Sequence, residues 1–508
     1  MQKGGLMRKA GLLLAGTTLL AGVPAGAETL RDALVRAYNG NPTLTGQRAA
    51  QRANDENVPI ARSQGRPQLT TSAGLNENFL RGGNSVTNPQ RAFQAQVGVT
   101  MPVYTGGRVS NTVRAAETRV EAGQANLRAT EASVFTDVVA AYENVIRDEA
   151  IVALNTQNVR VLDTNLRASR DRFEVGDVTR TDVAQSEARL RLAQAQLQSA
   201  QATLIGSREN YVRLVGVAPA TLEPPPALPS LPGAPDDAVE VALRENPSLL
   251  AARRNLDATD YDIRTARANR LPQVGVSVSQ NYFNYLGSAG AGTGFNIQQT
   301  ATTTAGGLSL SLPLFQGGRA AAQVRQAQEL RGQAIEQATA AERQVVAQAR
   351  SAYAIWRSSQ EVIASAEAAV AANKLSLEGV RAENSVGTRT ILDILNAEQE
   401  LLNSQVTLVT ARRDAYVAGF ALLAAMGRAE ADDLGLDGGP LYDPTVHYRR
   451  VKGSWSDWRD NPAPQAVATP TTAVPAQDAT VTRTLDPSLQ SNVDRSPALT
   501  TGADTPRP

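Results

Sequence analysis

The chain has 508 residues, and its 50 Lys and Arg against 49 Asp and Glu give a formal net charge of +1 at pH 7. It contains no Cys and one His, which excludes disulfides, thiolate chemistry and most zinc sites, and no cofactor is expected. The near-neutral charge argues against a nucleic-acid partner. The one histidine, His447, lies near the C-terminal tail and is expected to be a solvated surface residue.

The N-terminus has the features of a secretory signal peptide over residues 1–27. Lys3, Arg8 and Lys9 precede an apolar run, and Ala25-Gly26-Ala27 follows that run. The run is too short to cross a bilayer as a helix, and cleavage is expected after Ala27. No later segment approaches the roughly 20 continuous apolar residues of a membrane helix. The mature chain is therefore exported, and it can enter a membrane only as strands.

The rest of the sequence contains one unit twice. Asn41-Pro42 returns as Asn246-Pro247, and Pro102-x-x-x-Gly-Gly-Arg returns from Pro313. A nearly constant offset between such landmarks indicates a duplicated structural unit. The predicted organisation is a first repeat 28–218, a Pro-rich linker 219–235, a second repeat 236–436 and a C-terminal extension 437–508.

Each repeat begins with a helical segment, at about 29–63 and 236–269, and continues into a pair of strands. The strands are predicted at about 67–80 and 91–104, and again at about 272–286 and 302–315. Apolar and polar residues alternate in these segments, which are about long enough to cross a membrane. Aromatic residues concentrate there and resemble an interfacial girdle, although ordinary sheet packing would also use them: Phe79, Phe93, Tyr104, Tyr282, Phe283, Tyr285, Phe295 and Phe315.

Two long helices follow the strand pairs, at about 108–173 and 319–384. They contain no proline, and apolar residues recur every seven positions along each of them. A sustained seven-residue repeat makes helices supercoil around a neighbour, and 65 residues extend on the order of 100 Å. The stripes are Val138, Val145, Val152, Val159, Leu166 and Phe173, and Ala349, Trp356, Ile363, Val370 and Leu377, which ends at the polar Asn384.

Each long helix is predicted to turn back at a glycine, Gly176 or Gly387. A Thr follows each turn, and an Asp three residues later completes a helix N-cap, with Asp182 in one copy and Asp393 in the other. The return helices are predicted at about 181–214 and 391–426. After about residue 460 the chain is rich in Pro, Thr, Ala, Ser and Asp, which predicts disorder.

A sheet of four strands has two open edges, and a membrane tolerates neither of them. Closure therefore needs other copies of the chain: two copies give an eight-stranded barrel, and three give a twelve-stranded barrel that begins to leave a lumen. Helices continuing from such a barrel would extend the lumen into a long tube. The pattern predicts a conduit. A periplasmic coiled-coil adaptor or scaffold is the alternative, although it has no use for the strands, and no catalytic motif points to an enzyme.

Two segments resemble the TolC family of Gram-negative outer-membrane channel-tunnels. Residues 385–398, Ser-Val-Gly-Thr-Arg-Thr-Ile-Leu-Asp-Ile-Leu-Asn-Ala-Glu, are similar to the tip of the family's second repeat. Phe173-Glu174-Val175-Gly176 with Thr181-Asp182-Val183 is similar to the tip of its first repeat, and the two Pro-x-x-x-Gly-Gly-Arg junctions also match. The resemblance extends to about Gly439.

The resemblance implies a mainly α-helical fold with a transmembrane β part. In a homotrimer, the four strands of each chain would complete a twelve-stranded barrel in outer-membrane lipid, above a coiled-coil α-helical barrel in the periplasm. It also implies a periplasmic adaptor protein and an inner-membrane transporter driven by ATP or protons as partners. Tyr442-Asp443-Pro444 through His447-Tyr448 is similar to members that serve type I protein secretion, and drug efflux is the alternative cargo class.

The resemblance further assigns a gate to the helix tips. It implies that Asp393 belongs to a ring of carboxylates at the tunnel mouth, with Asn396 forming a second, uncharged ring. It implies that Arg389 ties neighbouring helix pairs together through Thr181 and Asp182, while Asn384 replaces the family's aromatic link. The turns are implied to meet the adaptor, and their residues are Val175, Gly176, Asp177, Val386, Gly387 and Thr388.

Overall fold

The computed structural model describes residues 27–80, 85–86, 88–294, 296–436, 440–481, 483–487 and 489–490. The predicted signal peptide up to residue 26, and Phe295 of the predicted aromatic girdle, lie outside these residues. Within the described ranges, no helix combines the length and the apolar character needed to cross a membrane.

Each repeat folds as short helices, a strand pair, one long helix and one return helix. The first repeat comprises α1 (Leu30–Gly40), α2 (Pro42–Asp55), α3 (Asn57–Ser63), β1 (Gln68–Glu77), β2 (Arg91–Tyr104), α4 (Arg108–Glu174) and α5 (Arg180–Val215). The second comprises α6 (Pro235–Glu245), α7 (Pro247–Ala268), β3 (Gln273–Asn284), β4 (Thr300–Ser311), α8 (Arg319–Ser385) and α9 (Ile391–Ala425), and α10 (Thr445–Val451) follows.

The two long helices have the length and the buried stripe that their sequences predict. Helices α4 and α8 contain 67 residues each, which corresponds to about 100 Å. Val138, Val145 and Val152 are almost fully buried, as are Ala349 and Val370 in the second repeat. The stripe is less buried toward the tip of the first repeat, where Phe173 is 45% exposed.

The duplicated Asn-Pro pair forms a joint at mid-height. The side-chain oxygen of Asn41 accepts hydrogen bonds from the backbone of Thr43 and Leu44, capping α2, while Pro42 occupies its first turn. The amide nitrogen of Asn41 donates to the carbonyl of Leu214, at the end of α5, over 2.9 Å. One side chain thus joins the end of one helix to the start of the next, which lets two short helices together match one long helix.

The same joint recurs in the second repeat. Asn246 caps α7 through the backbone of Ser248 and Leu249, and its amide nitrogen donates to the carbonyl of Ala425 at the end of α9. Asn41 and Asn246 are both buried. The repeated Asn-Pro pair therefore has a geometric function in each copy.

The Pro-rich linker packs at the same height. Glu28 pairs with Leu222 in an isolated β-bridge, and the hydroxyl of Tyr142, near the middle of α4, donates to the carbonyls of Glu28 and Glu223. Tyr211 donates to the carboxylate of Glu28 over 2.8 Å. The linker is therefore attached to the helices of the first repeat.

The four strands form one antiparallel sheet in the order β1-β2-β3-β4. The two repeats are joined by the pairing of β2 with β3, which runs from Phe93 opposite Asn284 to Tyr104 opposite Val274. Pro102 lies inside β2, where the register shifts between Pro102 and Tyr104, and an irregular ladder position is where a strand tolerates proline. Strands β1 and β4 are the edges of the sheet.

The expectation that His447 is solvated is wrong, because α10 folds back onto the first repeat. His447 is 7% exposed, its Nδ1 lies 3.1 Å from Asp55 Oδ2, and its Nε2 lies 3.5 Å from Glu56 Oε1. In the second repeat the matching aspartate, Asp260, pairs with Arg331 on α8 over 2.6 Å. The first repeat has Val120 at the position of Arg331, and His447 supplies the missing partner.

The tail also differs from the disorder that its composition predicts. The backbone of Gln477 donates to Glu209, and Arg208 donates to the carbonyls of Asp478 and Thr480. Leu489 is buried in the cluster formed by α8 and α9. Residues 477–481, 483–487 and 489–490, here called the strap, thus contact both repeats. Composition missed this because the apolar surface that covers Leu489 belongs to distant helices.

A cavity of about 670 Å³ lies beneath the strap, between α4 and α9. Glu143 on α4 lines it and is 5% exposed, and its Oε1 has no hydrogen-bond partner among the residues that the structure describes. Burial raises the pKa of the Glu143 carboxyl to about 7, although the nearby Arg483 and Arg413 favour its charged form. The acid is therefore partly protonated near neutral pH.

The Glu143→Gln variant is expected to stabilise the protein at high pH. The folded state holds the Glu143 proton between pH 4.5 and about 7 while the unfolded state releases it, so stability falls as pH rises through this window. Removing the ionisable group should raise stability at pH 8 by on the order of 2 kcal/mol. Thermal unfolding at pH 5 and pH 8 measures the effect, and the exposed Glu378→Gln serves as control. An equal Tm change at both pH values would contradict this account.

Candidate functional site

The candidate site lies at the tips of the two helix pairs, where each long helix turns into its return helix. Gly176 and Gly387 have φ values of 81° and 84°, in the left-handed region that favours glycine. After Gly176, the backbone of Asp177 donates to the carbonyl of Arg172, and after Gly387, Thr388 donates to that of Glu383. These bonds satisfy the last carbonyls of α4 and α8, so both turns are built alike.

Each return helix begins with a capping box. The Asp182 carboxylate accepts from the backbone and hydroxyl of Thr179, at 2.8 and 2.7 Å, and the Asp182 backbone donates back to that hydroxyl. Asp393 and Thr390 repeat the arrangement at 2.9 and 2.8 Å. These hydrogen bonds lower the pKa of both aspartates, so both remain charged near neutral pH. Thr181 is exposed in the first turn of α5.

Arg389 is held by its own turn within one chain. Its Nε lies 2.7 Å from Glu383 Oε2, and both side chains are about half exposed. The amide of Asn384 donates to the Arg389 carbonyl over 2.7 Å. Among the described residues, no hydrogen bond or ion pair joins Arg389 to Thr181 or Asp182. Asn384, where the family resemblance implies an aromatic link, thus anchors the turn that carries Arg389.

Asn396 joins the two repeats near the tips. Its side-chain oxygen accepts a hydrogen bond of 2.8 Å from Nη2 of Arg189, which lies on α5. Two residues further along α9, Glu398 is paired with Arg381 of α8, and the carboxylate is largely buried. Sequence reasoning missed Arg189, Glu383 and Arg381. Only the opposite charges of Glu383 and Arg389, six positions apart, gave a local signal for any of these contacts.

The turns also expose apolar side chains. Val175 and Val386, which directly precede the helix-ending glycines, are 80% and 74% exposed. A side-chain carbon built at Gly176 or Gly387 would meet no atom within 4 Å. Both turns therefore present an open, partly apolar surface. Within the described residues, no group of three or more His, Cys, Asp or Glu side chains could hold a metal ion.

Comparison with known proteins assigns the family. The model of the outer membrane efflux protein family matches residues 33–217 and 238–428, which comprise most of both repeats. The chain is 37% identical over 446 residues to the outer membrane efflux protein BepC of Brucella suis, covering 88% of this chain and 95% of that protein. It is 28% identical over 433 residues to the outer membrane protein TolC of Escherichia coli, covering 84% of this chain and 86% of TolC.

A solved structure supports the same fold. The outer membrane protein VceC of Vibrio cholerae superimposes with a TM-score of 0.67 at 22% identity, covering 78% of this chain and 96% of that chain. The predicted mainly helical fold with a strand part and the predicted outer-membrane location agree with these relatives. The chain belongs to the outer membrane efflux protein family, the family of TolC.

Proposed function

We propose that this chain is the exit duct of a tripartite export system. In this proposal three copies close their sheets into a twelve-stranded barrel, and their helices continue it as a tunnel. The observation that carries the proposal is the pair of unpaired edges, β1 and β4, on a sheet whose helices extend about 100 Å beyond it. The membership of the chain in an outer membrane efflux family supports the same function.

The resemblance to the TolC family implies the trimer, and a trimer is consistent with a channel. Two copies would give eight strands, whose interior is filled by side chains, whereas twelve strands begin to leave a lumen. The proposed partners are a periplasmic adaptor protein and an inner-membrane transporter driven by ATP or protons. The resemblance to the TolC family implies these partners.

The proposed cargo is protein, exported by type I secretion. The resemblance of residues 442–448 to secretion members supports this choice. Efflux of drugs or other small molecules is the second candidate, because BepC, which is 37% identical, is described as an efflux protein.

A deletion strain distinguishes the two cargo classes. If the chain serves type I secretion, the deletion should remove secreted proteins from the culture medium and leave drug susceptibility unchanged. If it serves efflux, susceptibility should rise and the secreted proteins should remain. Complementation with the intact gene is the control. A deletion strain that is unchanged in both assays, although its parent strain has the protein in the outer membrane, would contradict the proposed duct.

We further propose that the tips form the gate of the duct. Asp393 would contribute to a ring of carboxylates that favours cations, and Asn396 to an uncharged ring. Arg389 would bond Thr181 and Asp182 of the adjacent helix pair when the copies assemble. Its partner within one chain, Glu383, is half exposed, so the guanidinium can exchange partners at little cost in desolvation.

The Arg389→Ala variant is expected to raise the conductance of purified channels in planar bilayers severalfold, because it removes the charge-assisted bonds that hold the mouth closed. The matched control is Glu383→Gln, which breaks the pair seen within one chain but leaves the proposed bonds to Thr181 and Asp182. Equal conductance changes in the two variants would show that Arg389 acts only within its own turn. Unchanged conductance in both would contradict the latch.

The turns are the proposed docking points for the adaptor. Val175, Gly176 and Asp177 would serve in the first repeat, and Val386, Gly387 and Thr388 in the second. The exposed valines supply apolar surface, and the glycines allow close approach of a partner's backbone. Asp177 makes the two sites unequal, since Thr388 is uncharged.

The Gly387→Asn variant tests docking without disrupting the turn, because Asn tolerates the left-handed conformation that position 387 requires. The added side chain should project into open space and lower export, while the amount of folded trimer stays the same. The control is Gly216→Asn at the end of α5, where φ is 90° and the space is also open, far from the tips. Normal export by Gly387→Asn would contradict docking at this turn.

A further inference from the structure

The chain after α10 passes the point where the first repeat enters its sheet. Arg62 donates to the carbonyl of Lys452 over 2.9 Å, and Arg66 donates to the carbonyl of Ser454. The guanidinium of Arg66 lies 4.5 Å from the centre of the Trp455 ring. Arg66 precedes the first residue of β1, Gln68, by two positions. The C-terminal extension is therefore anchored at the base of the strands.

The anchored segment, residues 449–460, combines exposed indoles with positive charge. Trp455 is 68% exposed and Trp458 is 95% exposed. These are two of the three tryptophans in the chain. The segment carries four basic and two acidic residues: Arg449, Arg450, Lys452 and Arg459, and Asp457 and Asp460. Asp443 pairs with Arg449 over 2.7 Å, and the remaining basic residues form no ion pair with the acidic residues that the structure describes.

The anchor is specific to the first repeat. Arg66-Pro67-Gln68 is matched in the second repeat by Leu271-Pro272-Gln273, so the position of Arg66 is occupied there by a partly exposed leucine. The buried contact between His447 and Asp55 fixes the preceding helix to the same repeat. The sequence thus provides one docking point per chain for this segment, beside the strand that forms one edge of the sheet.

The segment lies at the base of the strands, where its tryptophans and basic side chains would be close to lipid. The strands of an outer-membrane protein lie in the bilayer, and their apolar residues are exposed close to the anchor, with Leu69 71% and Val103 60% exposed. Tryptophan prefers the boundary between hydrocarbon and headgroups, since the ring is apolar and its N–H needs a polar partner. Lysine and arginine at this depth extend toward anionic headgroups.

We propose that residues 449–460 bind the anionic phospholipid surface of the bilayer leaflet on the side where the helices leave the strands. Trp455 and Trp458 insert at the level of the headgroups, and Arg450, Lys452 and Arg459 bind lipid phosphates. The inference goes beyond the proposed function, and it rests on the placement of the strands in the membrane.

The three tryptophans make a direct test possible. The Trp356→Phe variant retains only Trp455 and Trp458, and it can be reconstituted as intact protein into vesicles of phosphatidylcholine and phosphatidylglycerol. Phosphatidylglycerol brominated on its acyl chains quenches indoles that touch the bilayer. We expect strong quenching by the brominated lipid and a marked loss of quenching by aqueous iodide relative to the protein in detergent.

Two variants make the readout specific. Trp455→Phe/Trp458→Phe retains only Trp356, which lies on α8 on the order of 50 Å from the strands and should not respond to brominated lipid. Adding Leu308→Trp to a chain without the other tryptophans places an indole on β4. If the Leu308→Trp indole is not quenched, the strands are not in the bilayer and the proposed function fails. If it is quenched while Trp455 and Trp458 are not, only the present inference fails.

A charge variant tests the role of the basic residues. Arg450→Gln/Lys452→Gln should need a higher fraction of brominated phosphatidylglycerol for half-maximal quenching, by about fivefold for each charge removed. Brominated phosphatidylcholine should show little difference between this variant and its parent. Two outcomes would overturn the proposal. One is that the indoles stay accessible to iodide in vesicles. The other is that Trp455→Phe/Trp458→Phe loses the trimer while its parent shows no quenching by lipid, which would indicate contact with a second copy instead.

Discussion

The constraint on which the structure depends is that a helix of 67 residues must be packed along its whole length. Alanine is the most frequent residue in both α4 and α8, and large apolar side chains at seven-residue spacing, such as Val138, Val145 and Val152, are buried along α4. Tertiary packing, rather than helix propensity, stabilises such a helix. A return helix of 35 or 36 residues covers only half of it. Asn41 and Asn246 solve this problem, because each joins the end of a return helix to the start of a short one.

The joint explains why the landmarks of the repeat recur where they do. An asparagine can accept backbone hydrogen bonds as an N-cap and also donate to a carbonyl, whereas Asp or Ser at the same position would lack the amide donor. Proline at the next position stops the preceding helix and starts the following one. The long helices, the glycine turns and the capping boxes could all be predicted from sequence, because each depends on residues close together in the chain.

The remaining features could not be predicted, because their partners are distant in sequence. His447 is 392 residues from Asp55, and Arg189 is 207 residues from Asn396, and no local pattern marks either pair. The strap was expected to be disordered because Val481, Leu485 and Leu489 are too few to form a core alone, although helices of both repeats complete one. At the tips, sequence identified the turns and the caps but not the pair of Arg389 with Glu383, since exposed ion pairs are weakly specified.

The inequality of the two repeats has a structural origin in the C-terminal extension. Each chain has one C-terminal extension, which can bind at only one of the two equivalent positions in its repeats, and it binds at the first. There His447 takes the place of the missing counterpart of Arg331, and Trp455 stacks on Arg66. The strap then runs over the seam between α4 and α9, above the buried Glu143. A tube built from duplicated units would have twice as many equivalent positions as chains. Because His447 and Trp455 contact only the first repeat of each chain, the extension reduces that symmetry along the helices, and the unequal tips reduce it again at their own end.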